Sequence, residues 1–297
     1  MNYYKEIKDQ ILNNEAYERI KDYSKERHRV LTYFEIGRLL HEAGKHYGES
    51  IIEKYAEKLK IEINKKYNKR TLFRMRQFYV IFSNTKVSPA GTQLTWSHYR
   101  ALLSIKDKEE INYYIQIAAN NHLTKNELEK KIKSKEYQRL DVKTRKKIES
   151  NRKIDIKEYV PNPIIIKNNK SILKITEKML MNLILEDIMS FMKELGIGYS
   201  FIDREYKIKI DDRYNYIDLL LYNIKYKCYV VVELKVTEFK SEYIGQILKY
   251  MNYIDKNLKT INEDKTIGII ICKKNNHFYM EYCSDERVIS REYKLIQ

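Results

Sequence analysis

The chain has 297 residues, 43% hydrophobic and 33% charged, which excludes a disordered polymer and is long enough for two domains with cores of their own. Its 57 Lys and Arg outnumber 41 Asp and Glu, a formal net charge of +16 that suits a polyanionic partner such as nucleic acid, although AT-rich coding bias produces the same lysine surplus. No apolar run reaches the ~20 residues needed to span a bilayer and the start, MNYYKEIKDQ, has no signal-peptide core, so a cytoplasmic protein with no membrane partner is expected.

The first 135 residues read as helices. In LTYFEIGRLLHEAG, Leu31, Phe34, Ile36, Leu39 and Leu40 recur near helical spacing, and Gly44 reads as a stop. IIEKYAEKLKIEINKKY and KRTLFRMRQFYVIF repeat the pattern. The loop SNTKVSPAGTQ holds two breakers, Pro89 and Gly91. SHYRALLSI, KEEINYYIQIAANN and TKNELEKKIK follow as short helices, the last headed by a capping box, Thr124 with Glu127. Residues 136–168 are charged and weakly periodic, close with Pro161 and Pro163, and read as a linker.

Residues 169–297 mix helix and strand. ITEKMLMNLILEDIMSFMKELG reads as one apolar helix ending at Gly196. Strand-like runs YSFIDREYKIKI, YNYIDLLLYN and KCYVVVELKV follow, then the amphipathic helix SEYIGQILKYMNYIDKNL, then TIGIIIC and FYMEYC as strands. The order αβββαβ, with room for one more strand, predicts an α/β domain with a mixed sheet. Cys228, Cys272 and Cys283 sit in apolar runs without a C-x-x-C pair, which predicts buried free thiols rather than a zinc or redox site.

Two of these strands carry charges that an apolar sheet does not explain. Side chains alternate along a strand, so Ile217, Leu219 and Leu221 are expected on one face and Asp218, Leu220 and Tyr222 on the other, while Glu233 and Lys235 share a face of the next strand. A hairpin turning between Lys225 and Tyr226 sets Asp218 directly across from Glu233, with Cβ atoms roughly 4.5–5.5 Å apart. Two such carboxylates repel unless a cation lies between them. Mg2+ fits, with oxygen ligands at roughly 2.0–2.1 Å. A divalent ion with a water held by Lys235 is equipment for phosphodiester hydrolysis. An exposed strand face with a plain Lys–Glu pair is the competing reading, disfavoured by the apolar YVVV beside it.

Asp218 followed by Glu233-Leu234-Lys235 on the next strand resembles the D…(D/E)xK core of the PD-(D/E)xK nuclease superfamily. ILEDIMSFMKELGIGYSFIDREY, YIDLLLYN, CYVVVELK and FKSEYIGQILKYMNYID resemble the C-terminal domain of YhcG-type proteins, and RTLFRMRQFY with QLTWSHYRALLSI resembles that family's helical N-terminal domain. The resemblance implies a helical domain followed by a restriction-endonuclease-like α/β domain. It implies metal ligation by Asp218, Glu233 and the Leu234 carbonyl, with Mg2+ or Mn2+, and catalysis by Lys235. It aligns Gln246 and Tyr250 with a Q-x-x-x-Y helix motif that contacts DNA or braces the site. It aligns Glu186 with an acidic residue of the first helix that supports the metal, a solvated helix face being an equal reading. Ile217 stands where the superfamily's name has proline.

In KKYNKRTLFRMRQFY the residues Lys69, Arg70, Arg74, Arg76 and Gln77 make a basic helix, either the second helix of a helix-turn-helix-like unit lying on a duplex or a solvated face over Leu72, Met75 and Tyr79. Trp96, His98 and Tyr99 read as core and cap. The expected function is a metal-dependent nuclease on DNA, with RNA as a further candidate substrate and a homodimer as a way to cut both strands. The rival is a nucleic-acid-binding or assembly protein carrying an inactive nuclease fold.

Overall fold

The computed structural model describes residues 2–19, 24–83, 93–150, 152, 154–169, 174–275, 280 and 285–297. Pro89, Gly91, His277, Cys283 and most of FYMEYC lie outside them. The chain divides into two compact units, Met1–Lys133 and Ser134–Gln297.

The first unit is helical: α1 (Tyr3–Arg19), α2 (Lys25–Tyr47), α3 (Ser50–Glu62), α4 (Lys69–Phe82), α5 (Trp96–Leu102), α6 (Lys108–Asn120) and α7 (Lys125–Lys133). Ile36, Leu40, Leu59, Leu72 and Met75 meet in its core. Asn68 starts α4 by accepting the Thr71 amide at 3.1 Å, and Thr124 and Glu127 make the expected box at the head of α7. The stop predicted at Gly44 falls four residues later. Gly44 lies on the buried stripe of α2, and Gly48, with φ 79°, supplies the positive φ that ends the helix. Gly37 on the same stripe lets α2 approach α4, since a Cβ there would overlap the Met75 carbonyl.

The second unit contains α8 (Glu136–Arg139), α9 (Val142–Glu149), a 3-10 turn (Ile156–Tyr159), β1 (Ile164–Lys167), α10 (Glu177–Glu186), α11 (Ile188–Leu195), β2 (Tyr199–Ile210), β3 (Arg213–Asn223), β4 (Cys228–Leu234), α12 (Glu242–Asn257), β5 (Ile267–Cys272) and β6 (Val288–Ile296). Among the described residues the strands form one mixed sheet, ordered β1-β6-β5-β4-β3-β2. β2, β3 and β4 are antiparallel neighbours, and β4, β5, β6 and β1 run parallel. Leu180, Ile184, Phe191 and Leu195 of α10 and α11 bury one face against Leu219, Leu221, Val230 and Val232. Tyr243, Ile247, Met251 and Ile254 of α12 bury the other against Leu220, Val231 and Ile270. Each aliphatic side chain so buried contributes roughly 1.5–3 kcal/mol. Cys228 and Cys272 are buried free thiols, as expected.

Two expectations are corrected. The apolar helix before Gly196 is two helices, because Asp187 leaves helical geometry (φ −139°, ψ 54°) and its carboxylate accepts the Ser190 amide to start α11. The described residues of the charged stretch 136–168 are structured: their helices are one or two turns long, too short to show a period, and several of their charges and carbonyls are bound. Arg139 pairs with Glu194, their side chains only 9% and 12% exposed, and donates to the Pro163 carbonyl at 2.7 Å. Glu194 also accepts the Ile165 amide at 2.9 Å, and Arg291 reaches the Val160 carbonyl at 2.9 Å. Arg139→Ala strands the buried Glu194 carboxylate and is expected to cost about 3–5 kcal/mol, read by chemical denaturation of the full chain.

Candidate active site

The hairpin register is the one the turn predicts. Leu219 faces Val232 and Asn223 faces Cys228, so one further step sets Asp218 opposite Glu233. Pairing stops there. The Leu234 amide donates to Asp218 Oδ2 at 2.7 Å, so a carboxylate caps the end of the ladder. On the other side of Asp218, Glu205 occupies β2 between the Arg204–Leu219 and Tyr206–Ile217 pairs with φ 47°, a conformation uncommon for a non-glycine residue. Strand alternation reverses across this irregularity. Ile217 packs with the α12 cluster rather than with Leu219 and Leu221, contrary to the expectation from strict alternation.

Glu233 is 2% exposed. Its Oε1 accepts from Lys235 Nζ at 2.8 Å and from Gln246 Nε2 at 2.7 Å, and Gln246 also lies 3.2 Å from the Tyr250 hydroxyl. Gln246 and Tyr250 are one turn apart on α12, which is why a Q-x-x-x-Y spacing brings both to Glu233. Lys235 Nζ stands 5.2 Å from the Tyr243 ring centroid, and the Tyr243 hydroxyl bonds Thr237 at 2.8 Å. Glu233 Oε2 is buried without a hydrogen-bond partner.

The electrostatics follow from this packing. Burial, then the nearby Asp218 charge, push Glu233 up to about 7. Burial also raises Asp218, against the pull of the Leu234 amide and Lys235. Burial works to lower the Lys235 ammonium, but the bond to Glu233 outweighs it and the pKa rises, so the amine stays charged. A buried and a half-buried carboxylate that converge with an unsatisfied oxygen are a hard-oxygen donor set of the type that takes Mg2+ or Mn2+, with the Leu234 carbonyl on the same strand end.

Among the residues expected from sequence, Asp218, Glu233, Lys235, Gln246 and Tyr250 converge. Glu186 does not join them: it is exposed at the C-terminal end of α10. The α10 carboxylate whose charge acts on Asp218, Glu233 and Lys235 is Glu177, in the first turn of the helix, about 13 Å away along the axis. Neither Glu177 nor Glu205 had a sequence signal: the Thr176 N-cap marks only where α10 starts, not which end approaches the strand ends, and the place of Glu205 depends on the β2–β3 register.

The basic helix α4 is partly spent within its own unit. Lys69 pairs with Glu53 at 2.5 Å, Arg76 pairs with Glu49, and Gln77 donates to the Leu103 carbonyl at 2.9 Å as a brace between α4 and the end of α5. Arg70 is exposed, and Arg74, held below its ordinary range by burial and then by Arg70 and Arg100, belongs to a cluster of three guanidinium groups. Arg100 comes from α5, so the helix pattern of α4 could not reveal it.

An acid on one strand, E-x-K on its antiparallel neighbour and Q-x-x-x-Y on the covering helix define the PD-(D/E)xK class of nuclease folds. The family described as "YhcG PDDEXK nuclease domain" matches residues 157–295, and "DUF1016 N-terminal domain" matches residues 6–139. The chain belongs to the YhcG-type family of PD-(D/E)xK nucleases. It is 23% identical over 309 aligned residues to the Escherichia coli (strain K12) protein called "Putative nuclease YhcG", covering 89% of this chain and 82% of that one. A repair endonuclease from Pyrococcus abyssi and an EndoMS–dsDNA complex are each similar at 18% identity and TM-score 0.31, over 43% and 44% of this chain. The chain spans about half the length of those solved structures, 49% and 48%. Among the described residues no helix is long and apolar enough to cross a membrane.

A raised carboxylate pKa makes the metal-free fold pH-sensitive. Unfolded Glu233 ionises near its ordinary 4.5 and the folded group near 7, so folding stability falls as pH climbs between those values and the full penalty holds above them. In EDTA, Glu233→Gln protein is therefore expected to melt higher than wild type at pH 8 and equal to it at pH 4; thermal melts across that range check this.

Proposed function

We propose that the chain is a divalent-metal-dependent nuclease that hydrolyses phosphodiester bonds in DNA, with Asp218 and Glu233 holding the cation. The observation that carries this reading is the buried, partnerless Oε2 of Glu233 next to Asp218, an arrangement that costs stability unless a cation joins the two. Mg2+ or Mn2+ would supply Lewis-acid stabilisation of the scissile phosphate and a nucleophile at neutral pH.

The chain's own groups then have separable tasks. Asp218 is fixed by the Leu234 amide, which leaves its carboxylate aimed beside Glu233. Gln246 holds Glu233 Oε1 in place and acts as a positioning residue, with Tyr250 behind it. Lys235, kept charged by Glu233 and braced over Tyr243, orients the attacking water and donates to the phosphate as negative charge builds on it. Leu234 contributes its carbonyl from the same strand end. Glu177 adds negative charge at the rim. In the helical unit Arg70, Arg74 and Arg100 are suited to phosphate contacts, each adding salt-dependent affinity.

The test uses plasmid, linear and branched DNA with Mg2+, Mn2+ or EDTA. Cleavage is expected only with metal. Asp218→Ala and Lys235→Ala are expected to lower the rate roughly a hundredfold or more while leaving DNA affinity intact. Undiminished cleavage by either variant refutes the roles assigned to those residues. A calorimetric Mn2+ titration that is the same for wild type and Glu233→Gln favours a non-catalytic binding protein.

A further inference from the structure

Beyond Asp218 the sheet changes character. β3 no longer pairs with β4, so Tyr206–Ile210 and Arg213–Ile217 run on as a two-stranded ribbon. One side is anchored: Ile208 and Ile217 are buried in the α12 cluster, and Lys249 of α12 donates to Asn215 Oδ1 at 2.9 Å. The other side faces solvent. Tyr214 and Tyr216 are 58% and 52% exposed on a strand whose other large apolar side chains are mostly buried. Lys209 stands opposite Tyr214 and Lys207 opposite Tyr216, with Lys207 Nζ only 3.8 Å from the Tyr214 ring centroid. Packing accounts for little at these positions: more than half of each tyrosine stays wet, and the ion pair of Lys209 is a 3.9 Å contact to the fully exposed Asp212.

We infer that this face of the ribbon seats an unpaired DNA strand beside the cutting site, an inference that rests on the nuclease reading above and specifies its substrate. Exposed aromatic rings interleaved with cations are the equipment for stacking bases while neutralising the backbone between them. Spacing selects the form of the DNA. Same-face positions two residues apart on a strand stand about 6.6–6.8 Å from each other, twice the ~3.4 Å rise per nucleotide within a duplex strand. Neighbouring rings therefore match bases drawn apart in a single strand, not the stacked bases of a helix. Tyr216 lies two residues from Asp218 on the same strand, about 6.6–6.8 Å along it and on the side of the ribbon turned away from α12, so a strand seated there lies next to the acids along the sheet without sharing their face.

The experiment is fluorescence anisotropy in EDTA with a labelled single-stranded oligonucleotide and a labelled blunt duplex of the same sequence, so that binding is read whether or not the protein cleaves. Tyr214→Ala/Tyr216→Ala is expected to lose at least ~10-fold in single-strand affinity while duplex affinity changes less than about twofold. Tyr214→Phe/Tyr216→Phe is expected to bind as wild type, because the rings and not the hydroxyls act. Lys207→Gln/Lys209→Gln is expected to reduce the slope of log affinity against log salt by about 1.4, two phosphates at ~0.7 each. An unaltered slope, equal losses on both DNAs, no single-strand binding by wild type, or a wild-type dimer on sedimentation that the double alanine variant dissociates each overturns the proposal. If these affinities behave as expected and no DNA is cut with metal, the nuclease reading fails and the binding face stands.

Discussion

The second unit is organised around the opposition of two carboxylates that antiparallel pairing forces together. Asp218 and Glu233 do not choose each other; the β3–β4 register puts them across from one another, and burial then raises both against ionisation. The surrounding groups make that placement tolerable. The Leu234 amide satisfies one oxygen of Asp218, the Lys235 ammonium and the Gln246 amide share one oxygen of Glu233, and the other oxygen of Glu233 is left over. An apolar pair at these two positions would be more stable on area grounds alone, so the acids are better explained by what they bind than by what they hold together.

The scaffold around them is conventional in its physics. The strand end at Glu233 lies between two apolar layers, one from α10 and α11 and one from α12, which fix its height and exclude water from its lower side. The charges of 136–168 serve the same purpose at a distance: Arg139 and Glu194 form a nearly buried pair that also collects the Pro163 carbonyl and the Ile165 amide, fastening β1 to the edge of the sheet. Among the described residues some charge is buried and paired, some is buried and short of partners, some is paired at the surface, and some, as Arg70 on α4 and the lysines of the β2–β3 ribbon, is displayed to solvent.

The sequence by itself determined much of this. Period-3.6 stripes located α4 and α12 almost to the residue, and the continuous apolar run YVVV located β4, because each pattern is set by which side chains a helix or strand can bury locally. The facing of Asp218 and Glu233 was legible for the same reason: a short polar turn fixes a hairpin register within a few residues. E-x-K and Q-x-x-x-Y were legible because two- and four-residue spacings put side chains on one face.

The tertiary structure alone decided the rest. That Glu177 and not Glu186 lies in the field of the site depends on which end of α10 points toward the strand ends, and nothing within the helix encodes its direction across a sheet. Glu205 and the reversal of faces at Ile217 depend on the end of a ladder between strands, a non-local event. The folding of residues 136–168 depended on partners as distant as Glu194 and Arg291, which is why a charged, aperiodic stretch looked solvated. Local pattern carries information about what a residue can bury near itself; it carries none about a partner that only the folded chain brings near.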